Sequence, residues 1–60
     1  MNMKKVGKVL VVDDNAGIRS ALKILLPIRF EAVEILPSPA QLISTVNTFQ
    51  PDVILLDMNF

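Results

Sequence analysis

Val9-Leu10-Val11-Val12-Asp13-Asp14-Asn15 is the stretch on which the reading of this chain turns. Lys8 to Asp13 reads as a strand, because Val9 to Val12 are aliphatic without polar alternation. That is the pattern of a strand covered on both faces, and so central in its sheet. Asp14 and Asn15 then offer side-chain oxygens to the free amides of a helix start. Ile18, Ala21, Leu22 and Leu25 follow at the spacing of one buried helical face. Pro27 should end that helix. Gly17 falls in its first turns, where it costs about 1 kcal/mol relative to Ala.

Working outward, Ala32 to Leu36 is extended in character, with Val33 and Ile35 on one face and Glu34 on the other, and a charge there suits an edge strand. In Ser38-Pro39-Ala40-Gln41, Ser38 can cap a second helix, Pro39 occupies its first position and Gln41 can reach back in a capping box. Leu42, Ile43, Val46 and Phe49 make that helix amphipathic, and Pro51 closes it. Asp52 leads into Val53-Ile54-Leu55-Leu56, a second strand without polar alternation that ends at Asp57. Phe30 and Phe49 read as core, and Met58 as a gap filler.

The order is thus β-α-β-α-β. Helical crossovers of this length join parallel strands and are right-handed in nearly all cases, which predicts an α/β fold. With the Glu34-bearing strand at an edge, the strand order is 2-1-3, one half of a doubly wound parallel sheet. The winding reverses between strands one and three, and open sheets of this kind bind ligands there, beyond the carboxyl ends of the strands. Asp13, Asp14 and Asp57 stand at those two ends, whereas Asp52 opens its strand at the opposite end and reads as structural.

Composition narrows the chemistry. Sixty residues make at most one small domain. Six basic and six acidic side chains cancel, so no basic field for direct nucleic-acid contact exists, and solubility gains little from charge. Cysteine and histidine are both absent, which excludes thiolate and imidazole chemistry and leaves only a hard, oxygen-bound metal ion. The chain is 52% hydrophobic, yet its apolar runs of four residues fall far short of the ~20 that a membrane helix needs. Lys4 and Lys5 precede an apolar run that Asp13 ends too soon for a secretion signal, and the expected location is cytoplasmic with no membrane partner.

Three carboxylates in one crevice repel one another unless they take up protons or share a cation. Magnesium answers that need, with one or two carboxylates, several waters and a phosphate oxygen. A carboxylate can also attack phosphorus to give an aspartyl phosphate. Asp57, alone at a strand tip, is the better nucleophile. Neighbouring side chains of an extended segment point oppositely, so Asp14 is expected to touch the ion and Asp13 to assist through water. The plainer reading treats Asp13-Asp14-Asn15 as a helix cap, with acids favoured near the helix amino end, and Asp57 as a strand terminus. The joint appearance of these acids at corresponding ends of two apolar strands favours the site.

Val9 to Asn15, together with Asp52-Val53-Ile54-Leu55-Leu56-Asp57-Met58, resembles the receiver domain of two-component response regulators, a flavodoxin-like fold. The similarity spans residues 1–60 and rests on two motifs that agree in type, order and spacing. It implies a phosphoacceptor, not a turnover enzyme: Asp57 would take a phosphoryl group from a phosphohistidine of a sensor histidine kinase. Asp13, Asp14 and Asp57 would bind Mg2+, with Asn59 lending its backbone carbonyl. Asp57-Met58-Asn59-Phe60 is similar to receivers that front ATPase-type transcription activators.

Members of that family run on well past this point, and here three residues follow Asp57. The family's hydroxyl residue after a fourth strand and lysine after a fifth have no match. Lys4, Lys5 and Lys8 precede the first strand and Lys23 lies on a helix. The chain therefore reads as the amino-terminal half of a receiver, not expected to complete phosphotransfer alone. Its Val53 to Leu56 strand is expected to be a bare edge that self-associates, as a two-fold dimer or by segment exchange. Two alternatives compete. An aspartyl-nucleophile, magnesium-dependent phosphatase would place a second Asp where Asn59 stands and would leave Asp13 and Asp14 unexplained. A non-catalytic α/β interaction or nucleotide-binding piece lacks a glycine-rich loop, since only Gly7 and Gly17 are present.

Overall fold

The computed structural model describes residues 6–57. Five principal elements follow in the expected order: β1 (Val6–Asp13), α1 (Ala16–Leu25), β2 (Phe30–Leu36), α2 (Leu42–Phe49) and β3 (Val53–Asp57). The fold is α/β, and the three strands form one parallel sheet in the order β2-β1-β3. β1 begins two residues before the expected start at Lys8, because the Val6 amide donates to the Arg29 carbonyl at 2.7 Å and Val6 pairs with Phe30 of β2.

Side chains of paired residues in a parallel sheet share a face. Val9, Val11 and Asp13 therefore lie with Val33 and Ile35 of β2, and with Val53, Leu55 and Asp57 of β3. Leu10 and Val12 lie on the other face with Leu36, against Leu42, Val46 and Phe49 of α2. β1 carries the core: Val9, Leu10, Val11 and Val12 are at most 1% exposed. Burial of each such side chain stabilises the fold by about 1.5–3 kcal/mol. The same aliphatic composition in β3 is treated differently. Ile54, Leu55 and Leu56 are 44%, 42% and 61% exposed, since β3 pairs only with β1 among the described residues.

The helix signals are met in part. Asn15 Oδ1 accepts from the Ile18 amide at 3.0 Å and is the cap of α1, a role Asp14 does not share. Pro27 stands inside a turn of 3-10 helix, Leu26–Ile28, that tightens the end of α1. Ile18 and Leu25 of the expected buried stripe remain exposed and only Leu22 is half-buried, because α1 packs only sparsely on β1 and β2. Ser38 Oγ caps a 3-10 turn, Pro39–Gln41, by accepting from the Ala40 amide at 3.4 Å. The expected capping box does not form: the Gln41 carbonyl accepts from the Ser44 hydroxyl at 3.1 Å, and α2 starts only at Leu42. Ile43 points away from the sheet and is exposed. Gln50 closes α2 in the left-handed region, at φ 53°, with its amide on the Val46 carbonyl at 2.9 Å.

Candidate functional site

The site grows out of the ends of β1 and β3. Because β3 enters the sheet with Val53 opposite Val9, the ladder runs on until Asp57 stands opposite Asp13. Both acids occupy the last position of their strands and share a face at the point where the winding reverses. This is the crevice in which open α/β sheets take ligands.

Asp13 continues the buried run of β1 and is 2% exposed. One oxygen, Oδ1, accepts from the Asn15 amide at 2.8 Å, which ties the strand end to the helix start. The other, Oδ2, is buried and has no hydrogen-bond partner among the described residues. The Asp13 carbonyl accepts from Arg19 Nη1 at 2.9 Å, so a side chain of α1 also holds this corner. Asp57 is exposed, and its carboxyl is pushed above the ordinary 3.8. Repulsion from Asp13 is the leading cause, followed by the hydrogen bond that a protonated Asp57 gives Asp13. Desolvation and the charge of Asp14 add to it.

Asp13 and Asp57 are thus brought together, whereas Asp14 is exposed at the bend before α1 and acts on Asp57 only as the weakest of these influences. Among the described residues no three acids gather closely enough to hold an ion as a triad. Asn59, the fourth expected ligand, lies outside the described residues, as do Met58, Lys4 and Lys5. Asp52 stands at the far end of β3, accepting from the Lys8 amide, in keeping with a structural role.

A hard divalent ion fits the donors present. Asp13 Oδ2 is a buried oxygen that lacks a hydrogen-bond partner when Asp57 carries no proton to share, an arrangement that costs stability until a cation or that proton reaches it. Two facing carboxylates also match the small protein ligand number that magnesium accepts while retaining water.

Arg19 is a contributor that the residue pattern did not single out. Its signal is only a long cationic side chain in the early turns of α1, where it can reach back to the end of β1. A separate cleft of about 590 Å³ lies between α1 and β2, lined by Arg19, Lys23, Glu31, Glu34, Val33 and Ile35, and none of the three acids borders it. No helix among the described residues is long and apolar enough to cross a membrane. The chain matches no family model, no curated protein and no solved structure.

Proposed function

We propose that this chain is a phosphoacceptor receiver module of two-component type, in which Asp57 accepts a phosphoryl group beside a magnesium ion held by Asp13 and Asp57. The observation that carries the reading is the register pair Asp13–Asp57 with the unpartnered Asp13 Oδ2 between strand ends. Asp57 supplies the exposed carboxylate that attacks phosphorus. A P–O bond forms while the P–N bond of a phosphohistidine breaks, and the electron pair leaves on the imidazole nitrogen, which takes up a proton. Bound magnesium would neutralise charge on the attacking and transferred oxygens. Asp13 orients the pair, fixed by the Asn15 amide and the Arg19 guanidinium on its carbonyl. Asp14, exposed at the adjacent bend, would support the ion through water, and the resemblance to receivers would assign the remaining protein ligand to the Asn59 carbonyl.

The partner on this reading is a sensor histidine kinase in the cytoplasm, and the output is a transcription activator. A second copy is the occupant of the outer edge of β3, where Val53 to Leu56 carry no charge to deter strand pairing.

Titration of the native protein with magnesium, with and without beryllofluoride as a phosphoryl mimic, tests the pocket. Native protein should bind both, beryllofluoride only when magnesium is present, and Asp57→Asn should lose the beryllofluoride response. Equal responses from the two proteins would refute the assignment. Steady hydrolysis of a generic phosphomonoester that depends on Asp57 would instead favour a phosphatase.

A further inference from the structure

At the opposite end of the sheet from the acids, two hydrogen bonds between Asp52 and Lys8 clasp the start of β3 to β1, and the Lys8 side chain adds contacts to the end of α2. The Asp52 amide donates to the Lys8 carbonyl at 2.8 Å, and the Lys8 amide donates to Asp52 Oδ2 at 2.8 Å. Lys8 Nζ reaches the Phe49 carbonyl at the end of α2 at 3.1 Å and lies 5.6 Å from the centre of the Phe49 ring. Gly7 makes room for this. A Cβ built on Gly7 would overlap Asp52 Oδ2 and stand 2.9 Å from Asp52 Cγ, so any larger residue expels the carboxylate from its seat.

The clasp matters because the body of β3 cannot choose its own register. A one-residue slip exchanges the two faces of a strand, and a polar-apolar alternation normally forbids it. In Val53-Ile54-Leu55-Leu56 every position is aliphatic, and Ile54, Leu55 and Leu56 are all more than 40% exposed. A slip therefore trades one apolar side chain for another, at little loss of burial. It would nevertheless set Leu56 or Met58 opposite Asp13. The polar residues that distinguish one register from another are Asp52 and Asp57 at the two ends; Asp57 can bond to β1 only by giving a proton to Asp13, whereas Asp52 is tied to the Lys8 backbone through both its amide and its carboxylate.

We infer that Asp52, seated against Gly7 and Lys8, is the positioning residue of the site: its clasp sets the register of β3 that places Asp57 opposite Asp13. The inference rests on the proposed function for the use made of Asp57, while the register is read independently of any ligand.

The test is backbone NMR of the whole chain, following cross-strand contacts between β1 and β3, with a magnesium titration of each sample. The samples are native protein, Asp52→Ala, Gly7→Ala, Asp52→Asn, and Val46→Ala as a control that loosens the packing of α2 without altering Gly7, Asp52 or the Lys8 backbone they meet. In Asp52→Ala and Gly7→Ala, the Val9–Val53 and Asp13–Asp57 contacts should weaken or shift by one residue while β1–β2 contacts persist. Magnesium affinity should drop about tenfold or more, the size typical of losing a residue that orients a ligand. Asp52→Asn, which keeps an acceptor for the Lys8 amide, should recover most of both, and Val46→Ala should keep native register once folded. Native β1–β3 contacts in either Asp52→Ala or Gly7→Ala would overturn the inference. A loss equally large in Val46→Ala would do so too, by showing general destabilisation. Should Asp52→Ala fail to fold, Gly7→Ala against Asp52→Asn decides. A native protein that binds no magnesium would sink the proposed function, and the register contacts would still judge the inference.

Discussion

Magnesium should stabilise the native protein in a manner that depends on both Asp57 and pH, and the dependence on each can be worked out from the Asp13–Asp57 pair. A ligand that binds only the folded state stabilises it by RT ln(1 + [L]/Kd). Sites with few protein oxygens hold divalent ions with Kd on the order of 1 mM, so about 10 mM magnesium contributes about 1.4 kcal/mol. For a domain of this size that corresponds to a rise in Tm of about 5–10 °C.

The sign of the pH effect follows from the elevated carboxyl of Asp57. Its folded proton affinity exceeds the ordinary value of 3.8, so the folded state binds more protons than the unfolded chain between 3.8 and that raised value. Without magnesium, the contribution of Asp57 to stability is therefore fully present below this window and is lost as pH rises through it, when Asp57 ionises against Asp13. With magnesium the ion replaces the proton, and its stabilisation appears as pH rises through the same window. The two curves should coincide in acid and diverge above. Asp57→Asn should abolish both the metal-free decline attributable to this group and most of the magnesium response. Urea denaturation across pH, at matched ionic strength with sodium chloride in place of magnesium, reads all four curves. Magnesium stabilisation of equal size in native and Asp57→Asn proteins, or one that persists below the window, would refute the reasoning.

Other outcomes follow from burial and backbone geometry. Leu10→Ala, at a fully buried position of the central strand, should cost about 2–5 kcal/mol in urea denaturation, whereas Ile43→Ala, at a position 77% exposed, should stay within about 0.5 kcal/mol. Gln50→Gly should stabilise by about 0.5–1 kcal/mol, since glycine adopts the left-handed conformation at φ 53° without the Cβ penalty and repays part of it in chain entropy. The native chain should associate as its concentration rises in light scattering, and Ile54→Lys should shift it toward monomer; a native monomer at all micromolar concentrations would remove the edge-pairing proposal.

What was legible in the residues was whatever depends on periodicity and order. Val9 to Val12 could be placed centrally because a strand without polar positions needs cover on both faces, and Glu34 sent β2 to an edge. Those two inferences alone fix the order β2-β1-β3 and bring Asp13 and Asp57 to neighbouring strand ends. Less legible was which of two adjacent acids turns toward Asp57. Alternation says only that Asp13 and Asp14 diverge, and the choice depends on register, which side-chain type in β3 does not encode. The burial of α1 was also overstated by its sequence. Ile18 and Leu25 have the right spacing for a buried stripe, but spacing identifies a face and not what covers it. The clasp of Asp52 on Lys8 was invisible for a similar reason: residues 44 apart in sequence meet only after the sheet has formed.

The division of labour between the two ends of the sheet accounts for why an acid can be buried at all. Asp13 is carried into the interior by the same strand whose aliphatic residues stabilise the fold, and a carboxylate oxygen left without a partner there opposes that stabilisation. Asp52 faces no such conflict, because the amide of Lys8 satisfies it and Gly7 leaves it space. One acid thus ties β3 to β1, while on the proposed function the desolvation imposed on the other, Asp13, would be relieved when a cation, or a proton shared with Asp57, reaches it. A site arranged in this way couples ligand occupancy to the stability of the central strand itself. Occupancy at the carboxyl end should therefore be felt as slowed hydrogen exchange at the amides of Val9 to Val12, down to the far half of the strand.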